Sequence, residues 1–178
     1  MTVSDPPWDS VEPLASYHGV SSFCSSHDAA IHESIDVWLQ RYALQEHKNR
    51  STTHVCVKSG QVVGYFSLST VVVDLSCASK GVKRYTQAGT GCAPAVLIAK
   101  LGLCEKLQGQ GNGTLLLRTA CEMAYRVNNL SSVRLIVVDA FDSHLVPFYE
   151  KHGMHLISPE DHRLFMKMST VGKLLNKS

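Results

Sequence analysis

Two stretches of this chain have residue types and spacing that could do chemistry. The first is LQGQGNG (107–113), which sets Gln108, Gly109, Gln110, Gly111, Asn112 and Gly113 between APAVLIAKLGL and TLLLRTACEMAYRV. The upstream flank reads as a buried strand and the downstream flank as a helix. A helix N-terminus presents N–H groups without intrahelical acceptors and the positive end of a dipole. Residues without side chains let those N–H groups come close to an anion such as a pyrophosphate. No Gly-Lys-Ser/Thr follows, so the loop is not a Walker A loop. Its spacing is G-x-G-x-G rather than the G-x-G-x-x-G of the dinucleotide fingerprint. What it matches is Q-x-x-G-x-G, on Gln108, Gly111 and Gly113. A plain glycine turn ahead of a core helix is the other reading of the same residues.

The second stretch is defined by charge. Between Glu46 and Glu105 the only acid is Asp74, while Lys48, Arg50, Lys58, Lys80, Lys83, Arg84 and Lys100 are basic. The rest of the chain is net acidic, although the whole is only +2. Such asymmetry suggests an anionic partner for the middle of the chain, with a basic surface lacking any partner as the competing reading. Metal chemistry has little support. The six cysteines include no C-x-x-C pair, and His152 and His155 have no Cys or carboxylate pattern beside them. Several cysteines lie in apolar stretches and read as small buried hydrophobes in a reducing compartment.

These groups have to be positioned by one domain. At 178 residues, 44% hydrophobic and 18% charged, the chain fits a single globular domain, residues 1–178, with flexibility expected at 1–10. No apolar run approaches the ~20 residues of a membrane span, and MTVSDPPWDS has neither the basic nor the apolar region of a secretory signal. A cytoplasmic location is expected.

VEPLASY (11–17) reads as a first strand, and SSHDAAIHESIDVWLQRYALQEH as a helix opened by a Ser25/Asp28 capping box. Ile31, Ile35, Trp38, Leu39 and Tyr42 form its apolar face. THVCVK and VVGYFSLSTVVVDL read as strands joined by a tight turn at Ser59-Gly60-Gln61, and 76–93 as a basic loop. A strand over 95–103 precedes the glycine loop, and a helix over 114–127 follows it, with Leu116, Leu117, Ala120, Ala124 and Val127 inward. A strand over 132–140, a short helix over 143–153 ended by Gly153, and a strand over 164–168 complete an α/β order of strands in one sheet with helices packed on it.

LIAKLGLCEKLQGQGNGTLLLRTA together with LVPFYEKHGM resembles the GNAT acetyltransferases, the first unit matching their pyrophosphate loop and the second their later CoA-side segment. PAVLIAKLGLCEKLQGQGNG, GYFSL and VEPLASYHGVSSFCSSHDAAIHESIDVWLQRYAL are more particularly similar to acetyltransferase toxins of type II toxin–antitoxin pairs, across most of residues 11–168. Lys100, Asn112 and Met154 depart from the usual Arg, apolar residue and Phe.

The resemblance implies an α/β (α+β) GNAT fold. Its central mixed, mostly antiparallel twisted sheet would be flanked by helices, with strands splayed at the acetyl-CoA site. It implies that Leu101, Gly102 and Leu103 hold the thioester, with the Leu103 N–H on its carbonyl. Gln108, Gly109, Gln110, Gly111, Asn112, Gly113 and Thr114 would give N–H donors to the pyrophosphate, and Tyr149 would be the general acid. On the residues alone, Tyr149 reads as a core aromatic beside Phe148. No general base stands out, and no metal is implied.

The same resemblance implies aminoacyl-tRNA as acceptor, a cognate antitoxin, a homodimer and a block of translation. Lys48, Arg50, Lys80, Lys83 and Arg84 would then meet phosphates. A GNAT enzyme acting on a small amine or a protein N-terminus, and a non-catalytic acyl-CoA-binding regulator, stay open beside it.

Overall fold

The structure is a computed structural model that describes residues 5–76, 78, 80–87, 89–128, 130–157 and 162–175. Cys77 and residues 1–4 of the N-terminal lead lie outside the described residues. In chain order the elements are β1 (Ser10–Pro13), α1 (Ala29–Ile31), a π-helical turn (His32–Val37), α2 (Trp38–Arg41), α3 (Ala43–Glu46), β2 (Thr52–Lys58) and β3 (Gln61–Asp74). They continue with α4 (Lys80–Lys83), β4 (Cys92–Leu103), α5 (Asn112–Asn128), β5 (Leu135–Asp139), α6 (Val146–Lys151), β6 (His155–Leu156), β7 (Arg163–Lys167) and α7 (Met168–Leu175).

The strands are hydrogen-bonded in the order β1-β2-β3-β4-β5-β7-β6. β1–β2, β2–β3, β5–β7 and β6–β7 are antiparallel, and β4–β5 is parallel. No helix among the described residues is long and apolar enough to cross a membrane.

The chain divides into two compact units, Met1–Ser69 with Ala99–Ala120 and Thr70–Ile98 with Cys121–Ser178. In the first, Leu14, Phe23, Leu39, Ala43, Val55, Val62 and Tyr65 form the core. The β2–β3 hairpin turns as expected at Ser59 (φ 49) and Gly60 (φ 78), the two positive φ angles of a type I′ turn.

The N-terminal lead is held from Trp8 onward. Trp8 is buried, the Asp9 N–H donates to Val57 O at 2.8 Å, and Asp9 Oδ2 accepts from the Ser59 N–H at 2.7 Å. β1 is shorter than 11–17 because the chain turns at Ala15–His18, where the His18 ring accepts the Ala15 N–H.

The Ser25/Asp28 capping box does not form. Asp28 alone caps, its Oδ1 accepting from the Ala30 and Ile31 N–H groups, while the Ser25 hydroxyl is taken by Asp36. The continuous helix expected from Ser25 therefore begins at Ala29 and is interrupted by the π turn.

In the second unit, Val73, Leu75, Ala78, Val82, Ala93, Ala95, Leu135, Val137 and Phe165 form the core. The basic loop over 76–93 contains α4 and gives up its end to β4, which starts at Cys92. β5 is the middle of the expected 132–140 strand, and α6 the middle of the 143–153 helix. β6 is two residues long and shows no periodicity, and α7, which buries Met168, Val171 and Gly172, follows β7 with no break to mark its start.

α5 begins two residues before the expected start. Its Leu116, Leu117, Ala120, Cys121 and Ala124 are buried, while Val127 is only half-buried. Cys56 and Cys121 are buried thiols, as read from their apolar surroundings, and Cys24, Cys92 and Cys104 are half-buried and free.

Candidate active site

The register of β4 with β5 runs from Ala95↔Leu135 to Ile98↔Val138, and β4 extends beyond it to Leu103, unpaired on that edge among the described residues. Neighbouring residues of a strand send their N–H groups to opposite edges. The Cys104 N–H goes to Val63 O on β3, at 2.8 Å. The Leu103 N–H therefore faces away from β3, as a donor for a carbonyl would need. Leu101 is half-buried, and Gly102 and Leu103 are buried. A Cβ at Gly102 would come within 2.5 Å of Tyr65 Cε1 and 2.8 Å of Ile35 Cγ2, so this position admits only glycine without rearrangement.

The strand passes through a short 3-10 turn (Glu105–Leu107) into the glycine loop. Gly109 (φ 74) and Gly111 (φ 82) have the left-handed backbone that favours glycine, and an added Cβ at either would meet nothing within 4 Å. That open space is what a backbone needs if it is to approach an anion.

The side chains expected beside these glycines work inward. The Gln108 carboxamide donates to Ser25 O and Leu103 O, both at 2.8 Å. The Asn112 side chain is buried and donates to Leu107 O at 2.9 Å, and Gln110 donates to Lys106 O at 3.2 Å. The Gln108 and Thr114 N–H groups are already given to Glu105 O and Gly111 O. The N–H groups of Asn112 and Gly113 fall in the first turn of α5.

In the second unit, Tyr149 sits on α6 and is 6% exposed. Its ring meets Phe148 edge to face at 5.1 Å. Burial, with a smaller contribution from Cys121, pushes the phenol up to about 12. It is neutral throughout the physiological range and retains its O–H as a donor.

Lys80 and Lys83 lie on α4 with Arg84 just after it, all exposed. Arg84 donates to the Tyr85 hydroxyl at 3.1 Å. Lys48 and Arg50, in the other unit, are exposed in the turn between α3 and β2, Lys48 at φ 68. Lys100 from the same basic stretch is turned inward. Its ammonium donates to Ser34 O at 2.9 Å and Ser34 Oγ at 3.1 Å and lies 5.8 Å from the Trp38 ring, and burial lowers its pKa. Cys24, His27 and Glu105 bring ligand-type atoms within 4.8 Å of one another. His27 Nε2 lies 3.2 Å from Glu105 Oε2, and both side chains are exposed.

Asp36 carries no motif in the sequence, Tyr65 stands there only within GYFSL, and Ser25 is legible only as a helix cap. Asp36 is 0% exposed, accepts from the Ser25 N–H and the Ser25 hydroxyl, and lies 2.9 Å from the His32 ring nitrogen. The Tyr65 hydroxyl donates to Ile35 O at 2.8 Å, capturing a carbonyl of the π turn. The one available signal was a carboxylate between Ile35 and Val37 in an otherwise apolar run.

Comparison with known proteins gives a consistent picture. Residues 21–154 match the acetyltransferase (GNAT) family. A tRNA-acetylating toxin of Mycobacterium tuberculosis (strain ATCC 25618 / H37Rv) is 31% identical over 129 residues, 72% of this chain and 75% of the toxin. Among solved structures, AtaT complexed with acetyl-methionyl-tRNAfMet superposes with a TM-score of 0.80 at 19% identity, covering 93% of this chain and 98% of that one. AtaTR bound with AcCoA gives 0.77 at 19% identity over 93% and 97%. The KacTA–DNA complex gives 0.75 at 18% identity over 95% and 99%.

Proposed function

This chain belongs to the acetyltransferase (GNAT) family, and from that premise we propose that it moves acetyl from acetyl-CoA to the α-amine of aminoacyl-tRNA, acting as a toxin that stops translation. The observation that carries the donor half is the run from β4 into the glycine loop. An edge of backbone beyond the β5 pairing leads directly to Gly109 and Gly111, whose surroundings are open. The acceptor half is supported by the tRNA-acetylating relative and by the exposed cations Lys48, Arg50, Lys80, Lys83 and Arg84, which suit phosphates.

In this reading Leu101, Gly102 and Leu103 align the thioester, and the Leu103 N–H stabilises the oxygen as its charge develops. The Gly109–Gly113 N–H groups and the start of α5 hold the pyrophosphate. The acceptor nitrogen forms a bond to the carbonyl carbon, the carbon–sulfur bond breaks, and the amine releases a proton. An α-amine has an ordinary pKa near 7.7–8.0, so a useful fraction is neutral without a dedicated base. The Tyr149 O–H meets the sulfur as it gains charge.

A cognate antitoxin and a second copy of the chain are the protein partners in this proposal, and the cytoplasm, where charged tRNA is used, is its place of action. The solved relatives include AtaT bound to the C-terminus of its antitoxin AtaR.

The test is transfer of labelled acetyl from acetyl-CoA to a total aminoacyl-tRNA pool, with uncharged tRNA, small amines and peptides in parallel. Label on charged tRNA alone is the expected result. Label on amines or peptides instead, or acetyl-CoA binding with no transfer to any acceptor, would overturn the tRNA reading.

A further inference from the structure

A carboxylate that is wholly out of water needs a reason, because a buried charge seldom stabilises a fold better than an apolar residue of similar size. Asp36 is such a group. Its Oδ1 and Oδ2 lie 3.1 and 3.0 Å from the Ser25 N, its Oδ1 accepts the Ser25 hydroxyl at 2.6 Å, and the His32 Nδ1 is 2.9 Å from Oδ2. Three of these contacts fall on one residue, Ser25. The Ser25 carbonyl in turn accepts one N–H of the Gln108 carboxamide at 2.8 Å, and the other N–H of that amide goes to Leu103 O at 2.8 Å. A single chain of hydrogen bonds thus runs from Asp36 through Ser25 to Gln108 and Leu103, all within the first unit. Its far end is the first residue of the glycine loop and the last residue of β4.

We propose that Asp36 is a positioning residue for the donor loop. It fixes Ser25, Ser25 fixes Gln108, and Gln108 holds the Gly109–Gly113 N–H groups in one arrangement before acetyl-CoA arrives. The proposal rests on the reading of that loop as the acetyl-CoA site. Preorganised donors reorganise less on binding, so loosening the chain at either end weakens binding by the same route. The π turn is consistent with this role. It delivers Asp36 inward, and its carbonyls at Ser34 and Ile35 are tied to Lys100 on β4 and Tyr65 on β3, so the carboxylate's own position is over-determined.

The test is a double-mutant cycle on acetyl-CoA binding by titration calorimetry of the full chain, with Asp36→Asn, Gln108→Ala and the pair. Groups that act through one another are non-additive. Each single variant should weaken binding about tenfold, and the pair also about tenfold. In Asp36→Asn the KM for acetyl-CoA should rise while kcat at saturating acetyl-CoA stays within about twofold, a split that general loss of structure would not give. Losses that multiply to about a hundredfold in the pair, or unchanged binding in Asp36→Asn, would overturn the proposal. Should Asp36→Asn not fold, Ser25→Ala takes its place in the same cycle with the same criterion. Wild type that fails to bind acetyl-CoA would instead overturn the reading of the loop itself, so the two failures are distinct.

Discussion

Tyr149 is where burial most sharply limits what a side chain can do. An efficient general acid has a pKa near the working pH. A phenol pushed up to about 12 is far from that, and a thiol's ordinary pKa near 8.5 makes full transfer from phenol to thiolate uphill. The contribution open to Tyr149 is therefore a hydrogen bond that strengthens as the sulfur gains charge, while the phenol keeps its proton and the departed thiolate takes one from solvent. Tyr149→Phe should lower kcat about a hundredfold and leave the acetyl-CoA Kd within about twofold, measured by single-turnover transfer and calorimetry. In wild type the phenol should impose no alkaline fall in rate below about pH 11. A fall centred near its ordinary value of 10.0 that disappears in Tyr149→Phe would contradict its buried state.

Among the elements, β4 and the loop after it depend on glycine for two different reasons. At Gly102 the obstacle is steric. The Tyr65 ring that a Cβ would strike is itself fully buried, with Phe23 edge-on at 5.4 Å and Trp38 stacked at 5.9 Å, so it has no room to move. Gly102→Ala should cost about 1–3 kcal/mol in urea unfolding, the range of an overpacked core. At Gly111 the obstacle is the backbone. A Cβ meets nothing, and only the left-handed φ of 82 is unfavourable. Gly111→Ala should cost about 1–2 kcal/mol if the φ is kept. Acetyl-CoA affinity should fall by tenfold or more, because relaxing φ swings the Gly111–Asn112 peptide away from the anion. Calorimetry of both variants beside urea melts separates the two mechanisms, and equal affinities would show that the loop's backbone is not what binds.

For the molecule as a whole, pH and salt should reveal its buried acids and its exposed cations. Cys56 and Cys121 are raised by burial from 9.0 to about 12, Tyr149 from 10.0 to about 12, and Tyr65 well above 10.0. Below about pH 8 these groups are almost wholly protonated whether the chain is folded or not, so they make stability nearly independent of pH. Between pH 9 and 12 the unfolded chain releases protons that the folded one retains, so stability must fall as pH rises. At pH 10 each thiol alone accounts for roughly 1 kcal/mol of loss relative to pH 8. Urea melts at the two pH values should show the fall, and Cys56→Ala should lessen it. A flat profile would mean that these thiols ionise in the native state. Salt addresses the proposed acceptor. Transfer to tRNA should weaken steeply between 50 and 200 mM salt, whereas acetyl-CoA binding, with fewer charges involved, should weaken much less.

The sequence by itself determined the local chemistry. LQGQGNG after an apolar strand set the loop and the helix start, because glycine spacing and helix polarity are properties of neighbouring residues. Ser59-Gly60 set the hairpin for the same reason, and FYEKHGM placed Tyr149 on a short helix that ends before Gly153. Tertiary structure decided which side chains were free to act. Ser25 and Asp28 satisfy the spacing of a capping box, yet a buried Asp36 eleven residues on outbids the local bond for Ser25. Gln108 reads as one of the N–H donors, but its N–H is given to Glu105 O and its carboxamide to Ser25 O and Leu103 O. Lys100 reads as one more surface cation and is instead bonded to the π turn. A hydrogen bond to a distant residue leaves no trace in local spacing, because it depends on where folding brings the partner. Motif and periodicity therefore named the loop and the strand, resemblance to a family named the tyrosine, and only the packed chain showed which side chains hold the loop together.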